Sequence, residues 1–227
     1  MKQIALDLQL PEPFGFDDFL IGPNLEAFMA LREMAAGTAH EPLMYLWGES
    51  GVGKTHLLRA AAAMAIEHGY SASYWDAAAE GLNESAHGFD LLAVDGVDAL
   101  GSDEQIALFG LINAQRERGA AIVIAGHQPP ARTLVREDLQ TRLGYGLVYQ
   151  ILPPADEDKA ALLKYRAAMR GCEIAEDVCN WLVMRSSRDL GSLTRLVDRL
   201  DRAALAAKRP LTLPFVRDVL RSEGDEA

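Results

Sequence analysis

Apolar residues gather along this chain in two kinds of run. LMYLW (43–47), FDLLAVD (89–95), AAIVIAG (120–126) and LVYQIL (147–152) are short and largely apolar, without polar alternation, and SASYWD (71–76) is a weaker block of similar length. Between them lie longer segments, 25–36, 55–69 and 103–119, with apolar positions at helical spacing. Short apolar blocks that do not alternate predict strands buried on both faces, and so a parallel sheet covered by helices. Asn24 is a candidate N-cap for the first helix. Gly69 and Gly119 stand where the next two helices should stop.

After Pro153 and Pro154 the pattern changes. Only helical segments follow, at 156–170, 175–185, 189–207 and 214–221, the last with Pro214 at its first position. The pattern therefore predicts an α/β domain over 14–154, a five-stranded parallel sheet between helices, followed by a small all-helical domain over 155–227. Residues 1–13, with prolines at 11 and 13, read as an extended arm.

Composition narrows the class. A chain of 227 residues, 49% of them hydrophobic, is long enough for a real core. Its net charge of −11 argues against broad contact with nucleic acid, which calls for a basic footprint. Cys172 and Cys179, seven apart in a stretch that reads as helical, are expected on one helix face as small apolar filler in a reducing compartment. Their spacing matches no zinc pattern. The N-terminus does not read as a signal peptide, and no segment approaches the ~20 apolar residues of a membrane span, so a cytoplasmic protein without membrane contact is expected.

The chemistry sits between the first strand and the helix after it. Gly48-Glu-Ser-Gly-Val-Gly53-Lys54-Thr55 fits the phosphate-loop pattern in the strand-to-helix context that the pattern requires. Its glycines let backbone N–H groups turn toward phosphates, and the helix N-terminus adds positive potential. Lys54 is expected to reach the β- and γ-phosphates, and Thr55 to ligate magnesium. Asp95 ends the third strand on the ligand-binding edge of such a sheet, placed to support magnesium through water. Gly96 follows it and has no side chain to act as a base. Asp98 lies past that glycine and would have to be re-aimed to substitute.

His127 follows the fourth strand, either as a reader of phosphate or water or as a plain loop histidine before Pro129 and Pro130. Arg142 lies on a short helix leading into the fifth strand, either projecting from the subunit toward a neighbour or solvated on the surface. Arg188 is near the start of a helix in the helical domain, set to reach phosphates or to pair with Asp189 or Glu176.

Together these segments resemble the AAA+ superfamily, and within it the family of the replication initiator DnaA and its shortened relative Hda. FDDFLIGPN (16–24) looks like the segment that cups the adenine, GESGVGKTHLL like the phosphate loop, and LLAVDGVDALGSDEQ like the strand carrying the magnesium aspartate. AGHQPP is similar to the sensor-1 strand, TRLGYGL to the arginine-finger segment, and RDLGSL to the sensor-2 helix of the lid. The resemblance implies a nucleotide site, for ADP or ATP with Mg2+, built from Leu20, Ile21, Gly48, Gly51, Val52, Gly53, Lys54, Thr55, His56, His127 and Arg188. It implies Arg142 as an arginine finger acting in trans. The arm QIALDL (3–8) resembles a sliding-clamp-binding peptide, with Gln3, Leu6 and Leu8 as its anchors.

What this implies is a negative regulator of replication initiation. It would hold ADP, bind the β sliding clamp of the replicase, and present Arg142 to ATP held by DnaA, meeting DNA mainly through the clamp. No helix-turn-helix DNA-binding domain is expected, and a homodimer is compatible with the pattern. Gly96 stands where DnaA-type strands carry an acid, and His127 where they tend to carry Asp, which implies weak hydrolysis in the chain's own site. Two alternatives stay open: an autonomous AAA+ ATPase or loader, and a scaffold that sequesters DnaA without activating it.

Overall fold

The computed structural model describes residues 15–79, 88–169, 171–185 and 190–222. Five strands, β1 (Leu43–Trp47), β2 (Ala72–Asp76), β3 (Leu91–Asp95), β4 (Ala121–Gly126) and β5 (Leu147–Gln150), form one sheet in the order β2-β3-β4-β1-β5. Every pairing is parallel. Helices α1 (Leu25–Ala35), α2 (Lys54–Glu67), α3 (Ser102–Arg118) and α4 (Glu137–Leu143) connect and cover it.

The unalternating apolar runs have a direct physical reading. Met44, Leu46, Leu91, Ala93, Val123 and Ala125 pack on one face of the sheet with Leu31 of α1 and Leu57 and Leu58 of α2. Leu43, Tyr45, Leu92, Val94, Ile122 and Ile124 pack on the other with Leu108 and Leu111 of α3 and Leu139 and Leu143 of α4. Successive side chains on a strand point to opposite faces, so a strand covered on both sides has no polar positions to spare. The edge strands β2 and β5 are only partly buried, which is why their sequences are less uniformly apolar.

The second unit is helical: α5 (Asp156–Met169), α6 (Glu176–Arg185), α7 (Leu190–Ala207) and α8 (Leu213–Ser222). Leu163, Val178, Leu182, Leu193, Val197, Leu200, Phe215 and Val216 form its core. The fold is an α/β domain around a five-stranded parallel sheet, followed by a small helical unit.

Three local expectations change. Asn24 precedes α1 but makes no side-chain cap. It is buried, and its amide bonds the backbone of Leu152 instead. Cys172 and Cys179 do not share a helix: Cys172 lies in the turn before α6 and Cys179 within α6. Pro214 is the second residue of α8, not the first.

Candidate nucleotide site

The phosphate loop leaves the C-terminal end of β1, near the middle of the sheet, and enters α2. Gly51 (φ 79°) and Gly53 (φ 101°) lie in the left-handed region that side chains disfavour. Gly53 has a second constraint. A Cβ there would come within 2.8 Å of the Phe19 ring, so the segment before α1 rests directly on the loop. Phe19 stacks on Phe28 of α1 (6.0 Å, 15°) and stands 6.0 Å from the ring of His56. The other ring edge of His56 meets the carbonyl of Gly15 at 2.8 Å. Leu20 and Ile21 follow Phe19, both half-buried. The expected base-binding segment is thus held against the expected phosphate loop, which spacing alone did not require.

Lys54 is buried, and its ammonium donates to the carbonyls of Gly48 (2.7 Å) and Glu49 (2.8 Å). Burial pulls its pKa below the ordinary lysine value, while the charges of Asp95 and Asp98 oppose that shift. An ammonium short of solvation inside a ring of backbone groups favours an anion beside it.

The Thr55 hydroxyl donates to Oδ2 of Asp95. The same oxygen accepts the Tyr74 hydroxyl from β2 at 3.0 Å. Burial first, and the Asp95 charge second, push the Tyr74 hydroxyl up to about 12. The Arg59 guanidinium of α2 lies 4.5 Å from the Tyr74 ring centre. Thr55 and Asp95, the two residues expected to support magnesium, are thus neighbours at the mouth of the phosphate loop. Mg2+ commonly takes one or two protein groups and completes its shell with water and phosphate. The described residues hold no cluster of three or more His, Cys, Asp or Glu that would suit a metal bound by protein alone.

Gly96 adopts a left-handed conformation and a 3-10 turn, Val97–Ala99, follows. Asp98 is thereby brought to the end of β4, where it accepts from the backbone N–H of His127 at 2.7 Å and meets its ring Nδ1 at 3.0 Å. The loop beyond is fixed by the buried Tyr45, whose hydroxyl donates to the Gln128 carbonyl at 2.8 Å.

Arg142 is elsewhere. It lies at the C-terminal end of α4, half-buried, with its guanidinium 5.5 Å from the Phe109 ring and 5.8 Å from that of Tyr145. It lines a groove of about 490 Å3 with Pro42, Leu43, Arg116, Ala120 and Ile122. Those neighbours mark the N-terminal edge of β1 and β4, the opposite edge from the phosphate loop. The length of β1, roughly 16 Å at the usual strand rise, separates the two. Arg188 and the arm residues Gln3, Leu6 and Leu8 lie outside the described residues.

Comparison with known proteins fits this geometry. Residues 10–79 match the model of the bacterial DnaA ATPase domain, and residues 156–220 match that of the Hda lid domain. The chain belongs to the DnaA/Hda family of AAA+ proteins. The family fold is seen in domain III of the replication initiation protein DnaA from Thermotoga maritima, 22% identical over 93% of this chain and 97% of that one, with a TM-score of 0.81. AMPPCP-bound DnaA from Aquifex aeolicus is 23% identical over 81% of this chain and 64% of its own, with a TM-score of 0.67. Membership of this AAA+ family implies nucleotide binding. No described helix is long and apolar enough to cross a membrane.

Phe19 and Tyr74 are neighbours of the candidate site that sequence reasoning did not select, and Asp98, weighed there only as a substitute for the missing carboxylate, lies against His127. A tyrosine in the middle of a weak strand and a phenylalanine before a helix carry no spacing signal. For Asp98 the glycine before it was the available clue.

Proposed function

We propose that this chain is a nucleotide-loaded adaptor, in its ADP form, that promotes hydrolysis of ATP held by DnaA and so acts as a negative regulator of replication initiation. The observation that carries the reading is the placement of Arg142. It stands at the edge of the sheet opposite its own phosphate loop, so a role in phosphate chemistry has to be exercised on a neighbouring molecule. In phosphoryl transfer an arginine supplied in trans stabilises the charge on the transferring group and raises rates by roughly 10³ to 10⁵.

The chain's own site serves binding in this reading. Lys54 and the N–H groups of residues 51–55 hold phosphate, Thr55 and Asp95 hold Mg2+ where it accompanies the nucleotide, and Leu20 and Ile21 with Phe19 cover the base. A bound metal supplies charge neutralisation between phosphate oxygens. Gly96 supplies no carboxylate next to Asp95, so hydrolysis here is slow compared with that of a complete AAA+ site. The arm, through Gln3, Leu6 and Leu8, tethers the chain to the β sliding clamp, and contact with DNA is mainly through that clamp.

The test is Arg142→Ala in a mixture of DnaA–ATP and clamp-loaded DNA. Loss of the stimulated ATP hydrolysis, with folding verified by thermal unfolding, is the expected result. Undiminished hydrolysis would remove Arg142 from this role. Gln3→Ala with Leu6→Ala should abolish retention on the clamp while nucleotide binding persists.

A further inference from the structure

The helical unit carries a basic cluster that neither the phosphate loop nor Arg142 uses. Trp181 of α6 is half-buried against the core of that unit. Two guanidinium groups lie over its ring, Arg185 from the same helix and Arg217 from α8, each 5.5 Å from the ring centre. Trp181 and Arg185 are four positions apart and so share one face of α6. Arg221 stands four positions after Arg217 and extends the cluster along α8. All three arginines are exposed.

Among the described residues, neither Arg185 nor Arg217 has a carboxylate at ion-pair distance. Asp218 follows Arg217 in sequence but projects about 100° further round α8. Glu176 and Asp177 open α6, about two turns or more from Arg185. Two like charges drawn to the negative face of one ring repel each other, and no described group neutralises them. A chain of net charge −11 thus keeps a local spot of unpaired positive charge. Exposed guanidinium forks suit phosphate and carboxylate oxygens. Three of them spread over two helices, with Arg217 and Arg221 about 6 Å apart along α8, suit a row of anions better than a single one. The Trp181 ring is engaged by guanidinium groups instead of standing open as a platform for unstacked bases. The cluster therefore favours a phosphate backbone, and a duplex carries more backbone charge per unit length than a single strand.

We propose that Arg185, Arg217 and Arg221 form a direct contact site for the phosphate backbone of duplex DNA, with Trp181 holding the first two side by side. The contact is independent of base sequence, and with only three phosphates engaged it is weak. It adds a direct hold on DNA to the indirect one through the clamp. It depends neither on the nucleotide site nor on the role of Arg142.

The experiment measures fluorescence anisotropy of a labelled duplex of mixed sequence with the full chain alone, without DnaA, clamp or nucleotide, so its outcome is separate from that of the reading above. Three phosphate contacts give a slope of about −2.7 for log affinity against log salt, so wild-type affinity should fall roughly 40-fold from about 50 to about 200 mM salt. Arg185→Ala with Arg217→Ala should bring the slope near about −0.9, a fall of only about 3-fold over the same range, and should weaken binding at low salt. Arg185→Lys with Arg217→Lys keeps both charges and should keep the wild-type slope, and thermal unfolding verifies that both variants are folded. A wild-type chain that binds no duplex, or an alanine pair with the wild-type slope, overturns the proposal. So does a single strand bound more tightly than the duplex, which would point to bases stacked on Trp181. An alanine pair that binds DNA normally but no longer stimulates ATP hydrolysis by DnaA would assign the cluster to a protein carboxylate, and overturns the proposal as well.

Discussion

Asn24 and Leu152, 128 positions apart, are joined by two hydrogen bonds: the Asn24 amide donates to the Leu152 carbonyl at 2.9 Å, and its carbonyl oxygen accepts the Leu152 N–H at 2.8 Å. Asn24 ends the segment that rests on the phosphate loop, and Leu152 ends the stretch leading out of β5. Gly22 meets Pro154 nearby, at 3.7 Å for an added Cβ. The segment before α1 is thus fastened to the chain just before the lid. Replacing Asn24 with Ala leaves a backbone N–H and C=O without their partners and should cost about 1–3 kcal/mol. Urea unfolding measures that loss, and nucleotide affinity should fall with it, because Phe19, Leu20 and Ile21 lose their anchor.

Gly53 and Gly119 both have positive φ, 101° and 66°, yet they should respond differently to alanine. At Gly119 an added Cβ meets nothing within 4 Å, so only backbone strain of about 1–2 kcal/mol is expected. Gly53 adds a 2.8 Å approach to Phe19. Gly53→Ala should abolish nucleotide binding, whereas Gly119→Ala should lower thermal stability and leave binding alone. Titration of a fluorescent nucleotide against both variants separates the outcomes.

Tyr74→Phe removes the hydroxyl that donates to Asp95 but keeps the ring beneath Arg59. Stability should change by about 1 kcal/mol or less. The Asp95 carboxylate then has only Thr55 among these hydroxyl donors to hold its direction, so nucleotide binding should need more Mg2+. Calorimetric titration of nucleotide at several Mg2+ concentrations is the check, and an unchanged Mg2+ requirement would show that Tyr74 does not position Asp95.

Cys172 should be a poor nucleophile. Burial first, and a hydrogen bond to Asp201 second, push its thiol up to about 12. The thiolate is the reactive form, so at pH 8 labelling should be far slower than for a free cysteine with its pKa near 8.5. Asp201→Asn removes a cause of the upward shift and should speed labelling. Mass-spectrometric alkylation kinetics test both statements.

The alternation of core faces was legible in the sequence because a strand covered on both sides permits only apolar positions, as in LLAVD and AIVIAG. The phosphate loop was legible because its glycines, lysine and threonine must be consecutive to do their work. Asn24 misled because a residue type suited to capping a helix is equally suited to bonding a distant backbone, and local sequence does not say which partner is near. The cysteines misled because seven residues of apolar spacing were read as one helix where the chain turns before α6.

The sequence by itself determined the parallel sheet, the phosphate loop, the aspartate that ends the third strand and the helical lid, since each is written in contiguous residues obeying a local period or spacing. Only the tertiary structure decided that Phe19 presses on Gly53, that Asp98 turns to His127, and that Arg142 faces away from its own phosphate loop. The first arises where the segment before α1 folds back over the phosphate loop. The other two arise where separate strands end side by side or at opposite edges of the sheet, set by strand order and the left-handed turn at Gly96, and none of these distances is written in the spacing of residues along the chain.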